Sequence, residues 1–325
     1  MRLTSLLVAA VLAGCGGSAP PVAGVTSTPA PRTATVALNW YPEPEFGGLY
    51  EADAAGLYAE KGLAVTIQTG GAGAPVIPQV ATGRVEFGIS TADEVVLARS
   101  QGADIVAVFA TYQTHPSCVM VHASRGLKDL SELKGGTLAL EDGIPFAQWL
   151  YKTYAFDGVT RVPYGGGVTQ FLLDPMYAQQ GYVTSEPILA EKQGGDPVCF
   201  LVADTGYNPY ANVVITSGDL IRKDPDLVRD FVVASAKGWD AYLADGTRGN
   251  AKIHELNATL EADVLGRMWA AQIPLIRDAD GDVGRMDHAR WETLEQQLRD
   301  VGALTVDSPP VDALFTNRFV DGEKP

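Results

Sequence analysis

Several short loops contain aromatic and carboxylate side chains, which are residue types able to bind flat, polar rings. The first loop spans residues 39–46, follows the apolar run 35–38, and contains Asn, Trp, Tyr, two Glu and Phe. Trp and Tyr faces stack on heteroaromatic rings, with about 1–3 kcal/mol per buried stack, and carboxylates accept hydrogen bonds from amino groups. Trp40 and Tyr41 are therefore the predicted stacking residues, with ordinary core packing as the alternative for Trp40.

The other candidates lie where further predicted strands end. Ligands of doubly wound α/β sheets bind beyond the carboxyl ends of the strands. Glu186, after the hydroxyl residues Thr184 and Ser185, is predicted to accept hydrogen bonds from a ligand amino or amide group; a hinge or surface acid is the alternative. The complete predicted binding set is Asn39, Trp40, Tyr41, Glu43, Phe46, Ser90, Thr91, Tyr112, Asp142, Phe146, Tyr164, Gly166, Gly167, Thr184, Ser185, Glu186, Tyr207 and Asn208.

The predicted binding loops contain no Arg or Lys. Sites for nitrate, sulfonate or phosphate usually present a guanidinium group or a helix N-terminus to the anion. A neutral or weakly cationic aromatic ligand therefore fits better than an anion, although a helix start leaves an anion open. The chain also lacks a His-Glu-x-x-His pair, a Gly-x-Ser-x-Gly elbow and a phosphate loop, so no catalytic residue, cofactor or metal is predicted.

Strand and helix patterns alternate along the chain, which predicts parallel sheets covered by helices. Two segments share a Gly-rich turn, a helix and a strand ending in hydroxyl residues, at 89–91 and 183–185. This faint repeat predicts two similar α/β lobes. We place lobe 1 at 34–112 together with 213–320, and lobe 2 at 113–212.

The first fifteen residues predict export and lipid anchoring. Residues 3–14 form an uncharged run too short to span a bilayer, and Leu-Ala-Gly precedes Cys15. This order resembles the lipobox of bacterial lipoproteins, which implies cleavage after a 1–14 signal peptide and a lipid on Cys15. A plain secretory peptide is the alternative. Residues 15–33, rich in Gly, Pro, Ser and Thr, are predicted to be a flexible tether at the periplasmic or extracellular face of a bacterial membrane.

The net charge of −15 disfavours nucleic acid and anionic lipid as partners. Beyond the lipobox only Cys118 and Cys199 remain. An oxidising compartment permits a disulfide between them, but two buried free thiols are the favoured interpretation.

Five segments, in their order along the chain, resemble the NMT1/THI5-like solute-binding family. They are 38–42 (Leu-Asn-Trp-Tyr-Pro), 48–52 with 56–58, 83–89 (Gly-Arg-Val-Glu-Phe-Gly-Ile), 130–135 and the helix at 219–243. The resemblance covers about 35–320 and implies a type II periplasmic-binding-protein fold, with two doubly wound α/β lobes joined by a two-strand hinge. It implies a monomeric binding protein that delivers a small molecule to the permease and ATPase subunits of an ABC importer.

Members of that family bind thiamine pyrimidine precursors, riboflavin, sulfonates or nitrate, and one fungal member is an enzyme of pyrimidine synthesis. A thiamine pyrimidine precursor is the expected ligand; riboflavin, or another small organic ligand or anion such as a sulfonate or nitrate, is the alternative. The cysteine-rich iron segment of the fungal enzyme would fall at 206–210, which has no cysteine. Binding without catalysis is therefore expected, with a pyrimidine-synthesis enzyme or a ligand sensor as the alternatives.

Overall fold

A computed structural model describes residues 30–277 and 281–321. The predicted signal peptide, Cys15 and most of the predicted tether lie outside the described residues. The first strand begins at Arg32, so the end of the predicted tether at 33 is too late by two residues. The reason is that Arg32 and Thr33 already pair in parallel with Leu63 and Ala64 of the neighbouring strand.

Strands and helices alternate through the first two thirds of the described residues, and the last third is mostly helical. The strands are β1 (Arg32–Ala37), β2 (Leu63–Gln68), β3 (Phe87–Ser90), β4 (Val106–Tyr112), β5 (Ser117–His122), β6 (Thr137–Leu140), β7 (Thr160–Pro163), β8 (Tyr177–Tyr182), β9 (Pro197–Leu201) and β10 (Ala211–Thr216). The α-helices are α1 (Gly47–Ala54), α2 (Leu57–Glu60), α3 (Val76–Ala81), α4 (Ala92–Ser100), α5 (Pro145–Thr153), α6 (Thr169–Leu173), α7 (Glu186–Lys192), α8 (Gly218–Lys223), α9 (Pro225–Ala244), α10 (Thr247–Leu256), α11 (Ala262–Ile276) and α12 (His288–Asp300).

The strands form two five-stranded sheets. The first has the order β2-β1-β3-β10-β4 and the second has the order β7-β6-β8-β5-β9. Each sheet is parallel except for one strand, β10 in the first and β5 in the second, which runs antiparallel to both of its neighbours. The predicted α/β fold with two lobes is confirmed.

The chain passes between the two sheets twice. The first connection, 113–116, joins β4 to β5, and the second, 202–210, joins β9 to β10. Each connection leads into the antiparallel strand of the other sheet, the first into β5 and the second into β10. The predicted two-strand hinge corresponds to these two connections. No helix within the described ranges is long and apolar enough to cross a membrane.

Close packing of α1 against α9 fixes where the loop 39–46 ends, because α1 begins at Gly47. A Cβ atom at Gly48 would lie 2.2 Å from the Trp239 ring, and one at Gly47 would lie 2.1 Å from the Tyr242 ring. From the other side, a Cβ atom at Gly238 would lie 2.3 Å from the Gly48 carbonyl oxygen. Glycine is therefore required on both helices, because any larger residue separates them.

Cys118 and Cys199 form a disulfide between the paired strands β5 and β9, with their Cα atoms 5.6 Å apart. The favoured interpretation of two free thiols is therefore wrong. The spacing of 81 residues along the chain hides the contact, since β9 reaches β5 only after three intervening strands have been placed.

We predict that Gly48→Ala lowers the free energy of unfolding by about 1–3 kcal/mol, because its methyl group overpacks the contact with Trp239. Gly266→Ala is the matched control, since a Cβ atom there has no neighbour within 4 Å and the residue lies inside α11. The control should gain up to about 1 kcal/mol from helix propensity. Denaturant unfolding of both variants checks the contact, and equal effects would contradict it.

Candidate functional site

A cleft of about 260 Å³ lies between the two lobes. It is lined by the loop after β1, the start of α4, the first connection, the loop after β6 and the carboxyl end of β8. The lining residues are Asn39, Trp40, Glu43, Glu45, Thr91, Asp93, Glu94, His115, Ser117, Glu141, Ile144, Pro145, Phe146, Tyr164, Gln180, Gly181, Tyr182, Ser185 and Glu186. The segments of each lobe that meet here follow strand ends, where α/β sheets place their ligands.

The cleft brings together eight of the eighteen residues predicted from the sequence. They are Asn39, Trp40, Glu43, Thr91, Phe146, Tyr164, Ser185 and Glu186. They come from both lobes and include the predicted stacking residue Trp40 and the predicted acceptor Glu186.

Five predicted residues lie in the protein interior instead of at the cleft surface. They are Phe46, Ser90, Tyr112, Thr184 and Tyr207, all of which are buried. Each has a structural partner or a packed environment. The Tyr112 hydroxyl, for example, donates to Gln272 Oε1 at 3.0 Å, and the Tyr207 hydroxyl donates to Asp93 Oδ2 at 3.2 Å.

The other five predicted residues lie outside the cleft lining. They are Tyr41, Asp142, Gly166, Gly167 and Asn208. Tyr41 is 50% exposed, and its ring contacts the Trp40 ring edge-on. Asn208 Oδ1 accepts hydrogen bonds from the His115 backbone and from Arg290, so this side chain secures the second connection.

Eleven residues of the lining were not predicted. They are Glu45, Asp93, Glu94, His115, Ser117, Glu141, Ile144, Pro145, Gln180, Gly181 and Tyr182. Glu45 lies in the predicted loop 39–46, and its alternation with Glu43 around a proline was a usable signal. Gln180, Gly181 and Tyr182 were missed because the strand was expected to end in the hydroxyl residues at 183–185. The structure ends β8 at Tyr182 and begins α7 at Glu186.

The loop 39–46 presents two carboxyl groups from one short turn. Pro44 begins a 3-10 helix that ends at Phe46, so Glu43 and Glu45 flank the proline. Asn212, which has a positive φ of 50°, donates from Nδ2 to the Glu45 carbonyl oxygen at 3.2 Å. The loop is thereby held to β10, the strand that follows the second connection.

Glu186 is held by neutral donors at the start of α7. Its Oε2 accepts from the Tyr182 backbone N–H at 2.7 Å, and its Oε1 accepts from the Tyr164 hydroxyl at 3.1 Å. A Cβ atom at Gly181 would lie 2.9 Å from Glu186 Oε2, so glycine is needed for this approach. The carboxylate is therefore positioned by β8 and by the segment after β7.

A second acidic group surrounds the start of α4. Thr91 and Glu94 form a capping box, in which the Thr91 backbone N–H donates to Glu94 Oε2 at 3.3 Å. The Ser90 hydroxyl donates to the same oxygen at 2.5 Å, and the Thr91 hydroxyl donates to Asp93. Burial raises the pKa of both Asp93 and Glu94.

His115 is neutral in this cleft. Its Nδ1 accepts from the Ser117 backbone N–H at 3.2 Å, which places the ring proton on Nε2. Burial, with a contribution from the Arg290 charge, lowers the pKa of His115 to about 3. The cleft lining therefore holds six carboxyl side chains and no Arg or Lys, and its one histidine supplies no positive charge.

Burial and the charges of neighbouring carboxyl groups in the cleft raise the pKa of Glu43 and Glu45. Burial raises the pKa of Glu43 to about 7, and the Glu186 charge adds to the effect, whereas hydrogen bonds from Ser185 and Trp40 oppose it. Burial, followed by the charges of Glu43 and Glu186, raises the pKa of Glu45 well above its ordinary value. Burial also raises the pKa of Glu186 against its hydrogen bonds.

Direct contacts join the lobes on either side of this cluster. The Ser185 hydroxyl at the start of α7 donates to Glu43 Oε2 at 3.1 Å. Outside the cleft, Lys192 Nζ lies 2.5 Å from Glu261 Oε2 and 3.1 Å from Asp263 Oδ1. Exposed ion pairs contribute only about 0.2–1 kcal/mol each, so these contacts allow the lobes to separate.

We predict that Glu43→Gln changes the pH dependence of stability. Because the pKa of Glu43 is raised in the folded state, protonated Glu43 stabilises the protein below pH 4.5. This contribution is lost as pH rises through about 7. The variant should match the original protein near pH 4.5 and exceed it at pH 8 by about 2–3 kcal/mol in free energy of unfolding. Denaturant unfolding at several pH values measures this difference.

The control is Glu60→Gln, which removes an exposed carboxylate from α2 outside the cleft. It should leave the pH profile unchanged. Parallel profiles for Glu43→Gln and the original protein would contradict the burial of an ionisable group at this position.

Comparison with known proteins places the chain in a family. The NMT1/THI5 like family profile matches residues 43–248. The riboflavin-binding protein RibY of Chloroflexus aurantiacus is 28% identical over 98% of this chain and 96% of its own length. The formylaminopyrimidine-binding protein of Halalkalibacterium halodurans is 24% identical over 80% of this chain and 83% of its own length.

One similar protein carries the name of an enzyme. The 4-amino-5-hydroxymethyl-2-methylpyrimidine phosphate synthase THI11 of Saccharomyces cerevisiae is 24% identical over 71% of this chain and 73% of its own length. Among solved structures, the periplasmic sulfonate-binding protein SsuA of Methylobacillus flagellatus aligns with a TM-score of 0.65 at 16% identity, over 90% of this chain and 94% of that chain. That similarity shows the periplasmic-binding-protein fold. The match over 43–248 shows that the chain belongs to the NMT1/THI5-like family.

Proposed function

We propose that this chain is the extracytoplasmic substrate-binding protein of an ABC importer, and that it captures a small nitrogen heterocycle of the thiamine pyrimidine precursor type. The observation that carries the proposal is the cleft between the lobes, which combines aromatic faces with hydrogen-bond acceptors and lacks Arg and Lys. Relatives named for binding riboflavin and formylaminopyrimidine support it. Both ligands contain nitrogen heterocycles.

The aromatic side chains provide faces for a ring, and the carboxyl groups provide acceptors around its edge. Trp40 approaches from lobe 1, and Phe146 and Tyr164 approach from lobe 2. A ring held between two lobes loses water on both faces, which increases the stacking contribution. A pyrimidine with amino substituents would donate to Glu186, which already accepts two neutral donors.

The size and charge of the cleft bear on the alternative ligands. A volume of about 260 Å³ falls below the usual range for drug-sized ligands and suits one ring better than the three fused rings of riboflavin. A sulfonate or nitrate would bring negative charge to six carboxyl groups. The likeness to SsuA concerns the fold, so it does not favour an anion.

We also propose binding without catalysis. The segment 206–210 has no cysteine where the resemblance places the iron segment of the fungal enzyme. In this structure Gly206 ends a 3-10 helix with a positive φ of 93°, and Tyr207 is buried against Asp93. The segment therefore serves as part of the connection between the lobes.

The remaining elements of the proposal concern location and assembly. We propose that cleavage after residue 14 leaves Cys15 lipidated, and that the following tether holds a monomer near the permease. Lobe 1 (34–112 with 213–320) and lobe 2 (113–212) would close on the ligand, and the closed form would be presented to the permease.

We predict that pyrimidine precursors raise the thermal midpoint of the soluble protein lacking residues 1–15. Ligand at 100 times its Kd adds about 2.7 kcal/mol to the free energy of unfolding. Trp40→Ala should weaken binding about 5- to 150-fold through the lost stack, and Glu186→Gln should weaken it about tenfold or more. Glu60→Gln is the control and should bind like the original protein.

The panel should contain 4-amino-5-hydroxymethyl-2-methylpyrimidine, thiamine, riboflavin, an alkanesulfonate and nitrate. A shift with riboflavin alone would keep the importer function and replace the ligand. A shift with the anions alone would contradict the charge argument. The binding function itself fails if no compound shifts the midpoint and X-ray scattering shows no closure.

A further inference from the structure

We propose that the ligand carries a positive charge, and that its cationic nitrogen lies among Glu43, Glu45 and Glu186 and displaces protons held by the empty cleft. This inference rests on the proposed function, because it specifies the ligand class of the same cleft. It goes further in requiring an amine or amidinium group, and in coupling ligand capture to proton release.

The geometry of the three carboxyl groups is the first support. Glu43 and Glu45 stand on one turn of lobe 1, and Glu186 faces them from lobe 2. Glu186 accepts from the backbone N–H groups of Tyr182 and Glu186 and from the Tyr164 hydroxyl, and Glu43 accepts from the side chains of Ser185 and Trp40, so the recorded donors are neutral. Within 30–277 and 281–321, no Lys or Arg side chain forms an ion pair with any of the three carboxyl groups or accounts for their pKa shifts.

None of the titratable side chains that line the cleft around this cluster carries a positive charge. The titratable and charged groups that face it are Tyr112, Tyr164, Tyr182, His115, Asp93, Glu94 and Glu141. The nearby guanidinium of Arg290 is committed elsewhere. It donates to the carbonyl oxygens of Gln113, Asn208 and Pro209.

An unpaired acceptor provides an independent indication of a donor ligand. Asn39 lines the cleft, and its Oδ1 is buried without a hydrogen-bond partner among the residues the structure describes. A buried acceptor left unpaired costs about 1–3 kcal/mol. A ligand N–H group would satisfy it, whereas an acceptor-rich anion would not.

Several buried carboxyl groups with no counter-ion are unfavourable when ionised, so the empty cleft retains protons near neutral pH. A cationic ligand stabilises the ionised form, and binding therefore releases protons. Because burial raises the pKa of Glu43 to about 7, affinity for a cation should rise about tenfold between pH 6 and pH 8. An aminomethyl group on a pyrimidine ring is less basic than lysine because the ring withdraws electrons, but it is protonated through most of this interval.

A metal ion is a less suitable occupant than an organic cation. Among the described residues, no group of three or more His, Cys, Asp or Glu side chains is arranged to hold a metal. The aromatic faces of Trp40, Phe146 and Tyr164 also suit an organic cation, which gains from contact with a ring face.

The test compares two ligands that differ in one group. 4-Amino-5-aminomethyl-2-methylpyrimidine carries an aliphatic amine, and 4-amino-5-hydroxymethyl-2-methylpyrimidine replaces it with a hydroxyl. Isothermal titration at pH 6 and pH 8, in buffers of different ionisation enthalpy, measures affinity and the number of protons released. The amine should bind about tenfold or more tightly than the alcohol at pH 8 and gain about tenfold in affinity from pH 6 to pH 8. It should release about one proton at pH 6 and much less at pH 8, where Glu43 is already mostly ionised.

Glu43→Gln, which is nearly isosteric, should reduce both the proton release and the preference for the amine, and Glu60→Gln should change neither. The measurement on the unaltered protein already decides the inference if the variant fails to fold. Equal affinity for the two ligands, without proton release, overturns the inference and leaves the proposed function intact. Binding of riboflavin alone also overturns the inference; it keeps the importer function but replaces the proposed ligand. Binding of none of the compounds, with no lobe closure, overturns both.

Discussion

Carboxyl groups buried without cationic partners are the constraint that governs the junction of the two lobes. Burial raises the pKa of Glu43 and Glu45 in one lobe and of Glu186 in the other, and the Glu186 charge raises the pKa of Glu43 and Glu45 further. Ionising all of them in an empty cleft is unfavourable, so the cluster either keeps protons or acquires a positive ligand. We therefore propose that the same few side chains set stability, ligand choice and pH dependence.

The scaffold holds these side chains through contacts that have no role in recognition. Glycines at 47, 48 and 238 let α1 approach α9, and this approach fixes the turn that bears Glu43 and Glu45. Gly181 similarly admits Glu186 to the end of β8. Exposed ion pairs, the Ser185–Glu43 hydrogen bond and a hydrogen bond from Lys152 to the Asp300 carbonyl oxygen join the lobes, and Ile188 of α7 is buried in the hydrophobic core of lobe 1.

Local sequence pattern predicted the α/β fold with two lobes. Of the eighteen site residues predicted from the sequence, eight line the cleft. The strands β2 and β6 are short, mainly apolar runs bounded by turn residues, which is the local pattern typical of a strand. The strand β8 was displaced because Gln179, Gln180 and Gly181 interrupt its apolar pattern, and the lining residues at its end were lost with it. The pairing of Tyr207 with Asp93, and of Cys118 with Cys199, depends on contacts distant in sequence that local pattern does not encode.

Native mass spectrometry of the protein isolated from its own host tests the central claim most directly, because it asks which molecule occupies the acidic cleft. The account predicts one small nitrogen heterocycle bearing an amine or amidinium group, present in the original protein and reduced in Glu186→Gln. Recovery of a sulfonate or another anion at the same stoichiometry, retained by Glu186→Gln, would contradict it.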